Sequence, residues 1–566
     1  MNLHEVPFSC RGSYMAVSEL GEVFNWKKTE PGLYLRTVRG AAELPLVSRI
    51  QTADGQRIEN GDCDTSPWQI HIAKEGKECD ICFADSDTLL FRGNLPLRFE
   101  FMSSGFIFTL AQPYRAKERD FILINCFMNS CRYLTRTIRG KQHYEQDWNG
   151  STTTFCRLIV EPDEDGTYLL SLEEAYEDWA DRRIDFDFDT AAENMRKSFE
   201  AFRDSMPSVP ARYAAAKETA SYVDWSGMVK ASGLFKREAM LMSKNWMCQV
   251  WSWDHCFNAI ALSYHNPELA WDQFMLMFDA QKPSGNIPDS LSDCRPVHNY
   301  CKPPIHGWAL RKLMRNMTLT KEQIREVYGK LGKWTDWWLD NRDENGDGLC
   351  EYTHGNDSGW DNSTAFIENP PATVPDLAAF LIYQMDVLSE LAEKLGDPEG
   401  QAAWGAKRDA MMRAMLRDLF EDGLPVAKAG LEMKKVETNS LILYLPIVLG
   451  RLLPENIRTN MVRVLESDKF LTKYGFATES PSSPLYESDG YWRGPIWAPS
   501  TMIVLDGLWD CGEHPFVRST AEKFCDMVSE SGCSENFDAL TGQGLRDRAY
   551  TWTASVMMVL AHEYLT

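Results

Sequence analysis

A chain of 566 residues with 44% hydrophobic and 25% charged side chains has the composition of an ordinary globular protein and is long enough for two domains. Its formal net charge of -23 at pH 7 argues against nucleic acid or an anionic membrane surface as partner, because a polyanion is repelled rather than steered in, and favours a small neutral substrate. No stretch reaches the roughly 20 apolar residues that cross a bilayer, and residues 1–13 lack a basic segment followed by an apolar core, so a cytoplasmic protein with reduced thiols is expected.

From about residue 30, short β-branched and aromatic runs alternate with Gly, Pro, Asp and Asn, as in Gly32-Leu-Tyr-Leu-Arg-Thr-Val, Phe106-Ile-Phe-Thr-Leu and Phe121-Ile-Leu-Ile-Asn. Helical periodicity is missing, and the pattern predicts an N-terminal β-sandwich over residues 1–172. Cys79 and Cys82 have the spacing of half a zinc site, but a half-buried strand accounts for them without further ligands. Residues 173–211 read as a charged helical linker closing on Met206-Pro-Ser-Val-Pro.

Residues 212–566 are predicted to be helical. Ile324, Val327, Leu331, Trp334 and Trp338 step by three or four, as do Leu377, Leu381, Met385, Leu388, Leu391 and Leu395, so each set lines one helix face. Roughly a dozen such segments fit six helical hairpins in a closed (α/α)6 barrel, although periodicity alone also allows a solenoid. Trp334, Trp337 and Trp338 are expected in the core.

The unusual residues of this region fall between helices: Trp251-Ser-Trp-Asp-His-Cys, Gly285-Asn-Ile-Pro-Asp, His354-Gly-Asn-Asp-Ser-Gly-Trp-Asp-Asn-Ser, Gly490-Tyr-Trp-Arg-Gly-Pro-Ile-Trp and Ser534-Glu-Asn-Phe-Asp. Most combine an aromatic with a carboxylate, amide or guanidinium, which is what a sugar site needs. Glycoside cleavage requires one protonated carboxyl on the leaving oxygen and one carboxylate that activates water or attacks directly. Asp361, between Trp360 and Asn362, has bulk to desolvate it and suits the acid, whereas Glu535 among small polar neighbours suits the base. Helix capping explains one of Asp357 and Asp361, not all five loops.

Trp251-Ser-Trp-Asp, Ser358-Gly-Trp-Asp-Asn-Ser, Tyr491-Trp-Arg-Gly-Pro-Ile-Trp and Glu535-Asn-Phe-Asp, in that order, resemble the signatures of glycoside hydrolase family 63 and of the related family 37 trehalases. The resemblance implies an (α/α)6 barrel, an inverting mechanism, and a sugar pocket bounded by Trp253, Asp254, Trp360, Asn362, Tyr491, Trp492, Arg493 and Trp497. Glu535-Asn-Phe departs from the Glu-Lys-Tyr of trehalases. It points instead to the bacterial family 63 type, whose members are α-glucosidases and glucosyl- or mannosylglycerate hydrolases. An exo-acting α-glucosidase on a small carbohydrate is the first expectation, with glycosylglycerate hydrolase or trehalase-like activity as alternatives. A helical-barrel phosphorylase and a non-catalytic sugar-binding protein are the rivals from other classes.

Asp343, Asn345 and Asp347 place oxygens at alternate positions ahead of Gly348, like the first half of an EF-hand loop, although its twelfth position is His354. A structural calcium ion and a tight turn are the two readings. No cofactor is expected for catalysis, and the ten histidines show no metal-binding spacing.

Overall fold

The computed structural model describes residues 1–24, 27–41, 46–103, 109–114, 121–176, 186–368 and 370–566. The expected strand at Phe106 begins outside them, as do residues 177–185 of the expected linker. The chain divides into two compact units, one of Met1–Asp204, Trp225–Ala231 and Ser243–Cys248, the other of Ser205–Asp224, Ser232–Met242 and Gln249–Thr566. Among the described residues no helix is long and apolar enough to cross a membrane.

The first unit is built on a six-stranded and an eight-stranded sheet. Their inner faces meet through aromatic pairs, Phe91 on Phe99 at 5.0 Å and Phe101 near Tyr133 at 6.2 Å between ring centroids. Cys79 and Cys82 lie in strand Lys77–Asp85. Three residues apart on a strand, they point to opposite faces and cannot share an ion. Strand Tyr168–Ala175 runs past the expected boundary at 172, and the helix that follows it is Phe188–Ser205 (α1).

The second unit is helical: Ala214–Gly227 (α2, which ends in the first unit), Asp254–Leu262 (α3), Pro267–Asp279 (α4), His306–Asn316 (α5), Lys321–Asn341 (α6), Pro375–Leu395 (α7), Pro398–Asp418 (α8), Glu455–Leu465 (α9), Ala498–Cys511 (α10), His514–Ser531 (α11) and Thr551–Leu565 (α12). Between α8 and α9, Leu441–Leu452 forms a 3₁₀ segment with Pro446 inside it. Proline has no N–H to donate and its ring clashes with the preceding turn, so an apolar run that reads as helix takes a tighter, broken form.

Six of these segments contact in succession: α3 on α5, α5 on α7, α7 on 441–452, that segment on α10, α10 on α12, and α12 back on α3. Every residue of α3 is buried, as is Ala498–Leu508 of α10. Helix α6 instead buries one stripe, Val327, Leu331, Trp334 and Trp338, the mark of a helix with one face to solvent. The connections leading into the N-termini of α3, α5, α7, α10 and α12 carry the unusual residues singled out in the sequence.

Candidate active site

Asp254 opens α3 directly after Trp253, and both are 3% exposed. One Asp254 oxygen, Oδ2, has no hydrogen-bond partner among the described residues. Burial pushes its carboxyl up to about 8, reinforced by Asp289 and Asp361 and opposed by Lys302.

The connection before α7 makes two tight turns. Gly359 has φ +73°, and a Cβ there would stand 2.6 Å from the Trp253 ring, so only glycine lets this turn close on the α3 connection. Gly355 is pressed against Asp361, whose carbonyl oxygen would lie 2.3 Å from an added Cβ. Asp357 is fully buried and ties the loop to Arg342 at 3.2 Å and to Cys301 N at 3.1 Å. Of the two aspartates, Asp357 therefore carries the structural role. Asp361 is half-buried, and burial raises its carboxyl, with Asp289 adding to the effect and Lys302 and His354 opposing it.

Glu535 is 2% exposed. The Tyr491 hydroxyl donates to its Oε1 at 3.2 Å, and its backbone N–H donates to Asp547 O at 2.7 Å. Burial, then the charge of Asp547, pushes its carboxyl up to about 8, against the Tyr491 hydrogen bond and Arg546. Ser534 and Asn536 are the neighbours of Glu535 in sequence, but Tyr491, Asp547 and Trp552 enclose it in space.

Tyr491 stands at φ +63°, rare for a bulky residue and the mark of a constrained site. Its carbonyl accepts from Trp497 Nε1 at 2.8 Å. Burial raises its phenol, with the charges of Glu535, Asp361 and Asp254 adding to the effect.

The tryptophans expected to face a sugar stack chiefly on one another. Trp492 lies parallel to Trp497 at 3.9 Å, Trp360 is 4.7 Å from Trp492, and Trp253 is 6.0 Å from Trp492. Trp552 closes the cluster at 5.7 Å from Trp253 and 5.5 Å from Trp497. Trp497 is 0% and Trp492 1% exposed, so their faces are spent on this stack, and Trp497 supports Tyr491 and Trp492 instead of presenting a platform. Asn362 is likewise a tie: its Nδ2 donates to Gly490 O and its Oδ1 accepts from Trp492 N, both at 3.0 Å, while its carbonyl accepts from Arg493 Nε at 2.6 Å. Asp361, Tyr491 and Arg493 keep partial exposure.

The sequence reading missed Lys302, Asp547 and Trp552 as members of the site. Trp552 lay within the Thr551-Trp-Thr-Ala-Ser ending, but Lys302 stands in Cys301-Lys-Pro-Pro with no pattern to mark it.

The Asp343 loop lies apart from these residues in sequence. Asp343 accepts from the backbone N–H groups of Asp347 and Gly348, and Asp347 from that of Leu349, all at 2.9–3.1 Å. Glu351, 2% exposed, accepts from the backbone N–H of Glu344 at 3.1 Å. Burial first, and then the charges of Asp343, Asp347 and Glu344, push it up to about 7. The Asp343 and Asp347 oxygens are engaged by the loop's own N–H groups, the geometry of a tight turn. The fold also brings His255, Cys256 and His306 within 4.8 Å of one another, a grouping that no sequence spacing reveals. Phe274, Phe278 and Trp334 pack around His306, and burial holds both imidazoles neutral, so these residues belong to an aromatic core.

Residues 247–553 match the family model described as the mannosylglycerate hydrolase MGH1-like glycoside hydrolase domain. A mannosylglycerate hydrolase of Rubrobacter radiotolerans is 22% identical over 431 residues, covering 58% of this chain and 97% of that protein. The solved family 63 mannosylglycerate hydrolase of Thermus thermophilus in complex with glucose superposes with a TM-score of 0.51 at 20% identity, over 60% of this chain and 98% of that one. A bacterial glucoamylase complexed with acarbose gives a TM-score of 0.64 at 12% identity over 100% of this chain and 94% of its own, so the likeness of fold extends to the N-terminal sheets.

Proposed function

The chain belongs to the mannosylglycerate hydrolase MGH1-like glycoside hydrolase family, and on that premise we propose that Asp361 and Glu535 hydrolyse a small α-glycoside with inversion. It is a glycoside hydrolase, and its motifs are those of family 63. The observation that carries the pairing is Tyr491: its hydroxyl is bonded to Glu535 while the charge of Asp361 acts on the same phenol. Asn362, next to Asp361, is bonded to Gly490 and Trp492 on either side of Tyr491, which supports a shared site for the two carboxyls.

In this mechanism Asp361, whose carboxyl burial raises, delivers its proton to the departing glycosidic oxygen. Glu535 in its ionised form takes a proton from water, which attacks the anomeric carbon from the opposite face, so an α-glycoside releases a β-sugar. Asp254, with its unpartnered oxygen, suits a sugar hydroxyl. Glycosylglycerates are the leading substrate class, because the related enzymes carry that activity in their names. Small α-glucosides remain the second class, since the similar structures include a glucose complex and a glucoamylase.

The proposed scaffold is an (α/α)6 barrel over residues 212–566, supported by the closed succession of contacts from α3 to α12. The β-sandwich expected over 1–172 extends through strand Tyr168–Ala175, and the linker expected over 173–211 carries α1. Asp343, Asn345 and Asp347 would hold the proposed structural calcium ion, the alternative being a tight turn. The 15 free thiols support a cytoplasmic setting.

Turnover of mannosylglycerate, glucosylglycerate, kojibiose, nigerose, maltose, isomaltose and trehalose tests the assignment. D361N and E535Q should each lower kcat on the best substrate by about 10²–10⁴-fold with the thermal midpoint retained. Near-normal turnover by either folded variant would remove that residue from its role.

A further inference from the structure

Lys302 lies on the connection into α5 and is only 4% exposed, an unusual place for a lysine. Its partners are Asp289, earlier on the same connection, and Asn356, on the connection into α7. Asp289 Oδ1 stands 2.9 Å from Nζ, and the backbone and side-chain oxygens of Asn356 each accept from Nζ at 2.8 Å. Asn356 Nδ2 donates to Asp289 Oδ1 at 3.4 Å and closes the triangle.

Both partners lead to the site. The Asp289 carbonyl accepts from Ser252 N at 2.9 Å, two residues before Asp254, and Val250–Trp251 pairs with Ser290–Leu291. Asn356 follows Gly355, the residue pressed on the Asp361 carbonyl. The buried ammonium therefore joins the α5 connection, which is itself paired to the connection carrying Asp254, to the connection carrying Asp361.

We propose that Lys302 is a positioning residue of the glycosidase site, tying the α5 connection, and through it that of Asp254, to the Asp361 connection and setting by its charge the pH range over which Asp361 holds its proton. The catalytic consequence rests on the acid role given to Asp361 above. A neutral amide could make the Asn356 contacts, so the charge is what lysine adds at this position. Burying it is costly unless it is compensated, and Asp289 supplies the compensation. The groups acting on Asp361 are Lys302 and His354 on the positive side, Asp289 and Asp254 on the negative side, and the neutral Tyr491 phenol. Lys302 is the foremost of the groups that favour the carboxylate. Without it, Asp361 keeps its proton to higher pH.

The test uses the full chain in three variants, K302M, K302M/D289N and N356A, with kcat/KM followed against pH on the best substrate. In K302M the alkaline limb should rise by about 1 pH unit or more. In K302M/D289N, where no buried charge is left unpaired, it should rise by less. N356A loosens the tie but keeps the ammonium, so kcat/KM should fall with the limb in place. The carboxyl ¹³C titration of Asp361, assigned against D361N, should show the same upward shift in K302M whether or not Asp361 is the acid. An unmoved Asp361 midpoint in both folded lysine variants would overturn the charge role, and unchanged kcat/KM in N356A would overturn the tie. Normal turnover by D361N would instead count against the acid assignment alone.

Discussion

Glu535 meets its surroundings at three points: Tyr491 donates to its carboxylate, Asp547 stands near as a like charge, and protein replaces water on the remaining sides. A base must be ionised to act, and burial holds this carboxyl up to about 8, so kcat/KM should rise with pH through the neutral range. The Tyr491 hydrogen bond favours the carboxylate. Its loss in Y491F should move the acidic limb further up and lower kcat/KM at pH 7 by about fivefold, the worth of one hydrogen bond. A limb that stays in place or moves down in Y491F would show that the phenol does not set this carboxyl. The identities of Asp361 and Glu535 were legible because whole motifs surround them. Their environments were not: Glu535 has small polar sequence neighbours, yet residues 491, 547 and 552 bury it, and desolvation depends on neighbours in space.

At the scale of elements, α6 and α7 follow directly from apolar steps of three and four, and the burial of Trp334 and Trp338 agrees with the stripe. Segment 441–452 was less legible, because its apolar run has helical composition while Pro446 forbids the helical bond. The turn after α6 shows the same limit. Asp343, Asn345 and Asp347 are visible as a spaced set, but that their oxygens turn back onto the loop's own N–H groups shows only in the fold. If the loop holds calcium, chelation should lower the thermal midpoint and added calcium restore it, since a ligand bound only by the native state stabilises it. D347A should abolish this response. A wild-type midpoint unaffected by chelator and by calcium would leave the loop as a turn alone.

For the whole molecule, Asp254 and Glu535 bind protons in the folded state at pH values where the unfolded chain has released them. Between about pH 4, the unfolded carboxyl range, and about pH 8, the native state therefore holds the extra protons, and stability from these groups falls as pH rises. E535Q removes one such group, so its thermal midpoint should exceed that of the wild type at pH 8, with the gap narrowing toward pH 5. An equal gap at both pH values would contradict the coupling. The division into sheets and helices was readable from the period of the apolar residues, whereas the aromatic stack was not. Trp253, Trp360, Trp492, Trp497 and Trp552 come from distant parts of the chain, and that two of them present almost no face to solvent follows only from their meeting.

The most direct test of inverting hydrolysis is proton NMR of the sugar first released from an α-linked substrate of the panel, recorded before mutarotation and without phosphate. Catalysis by Asp361 and Glu535 predicts the β-anomer at the outset, and release of the α-anomer or a requirement for phosphate would contradict it.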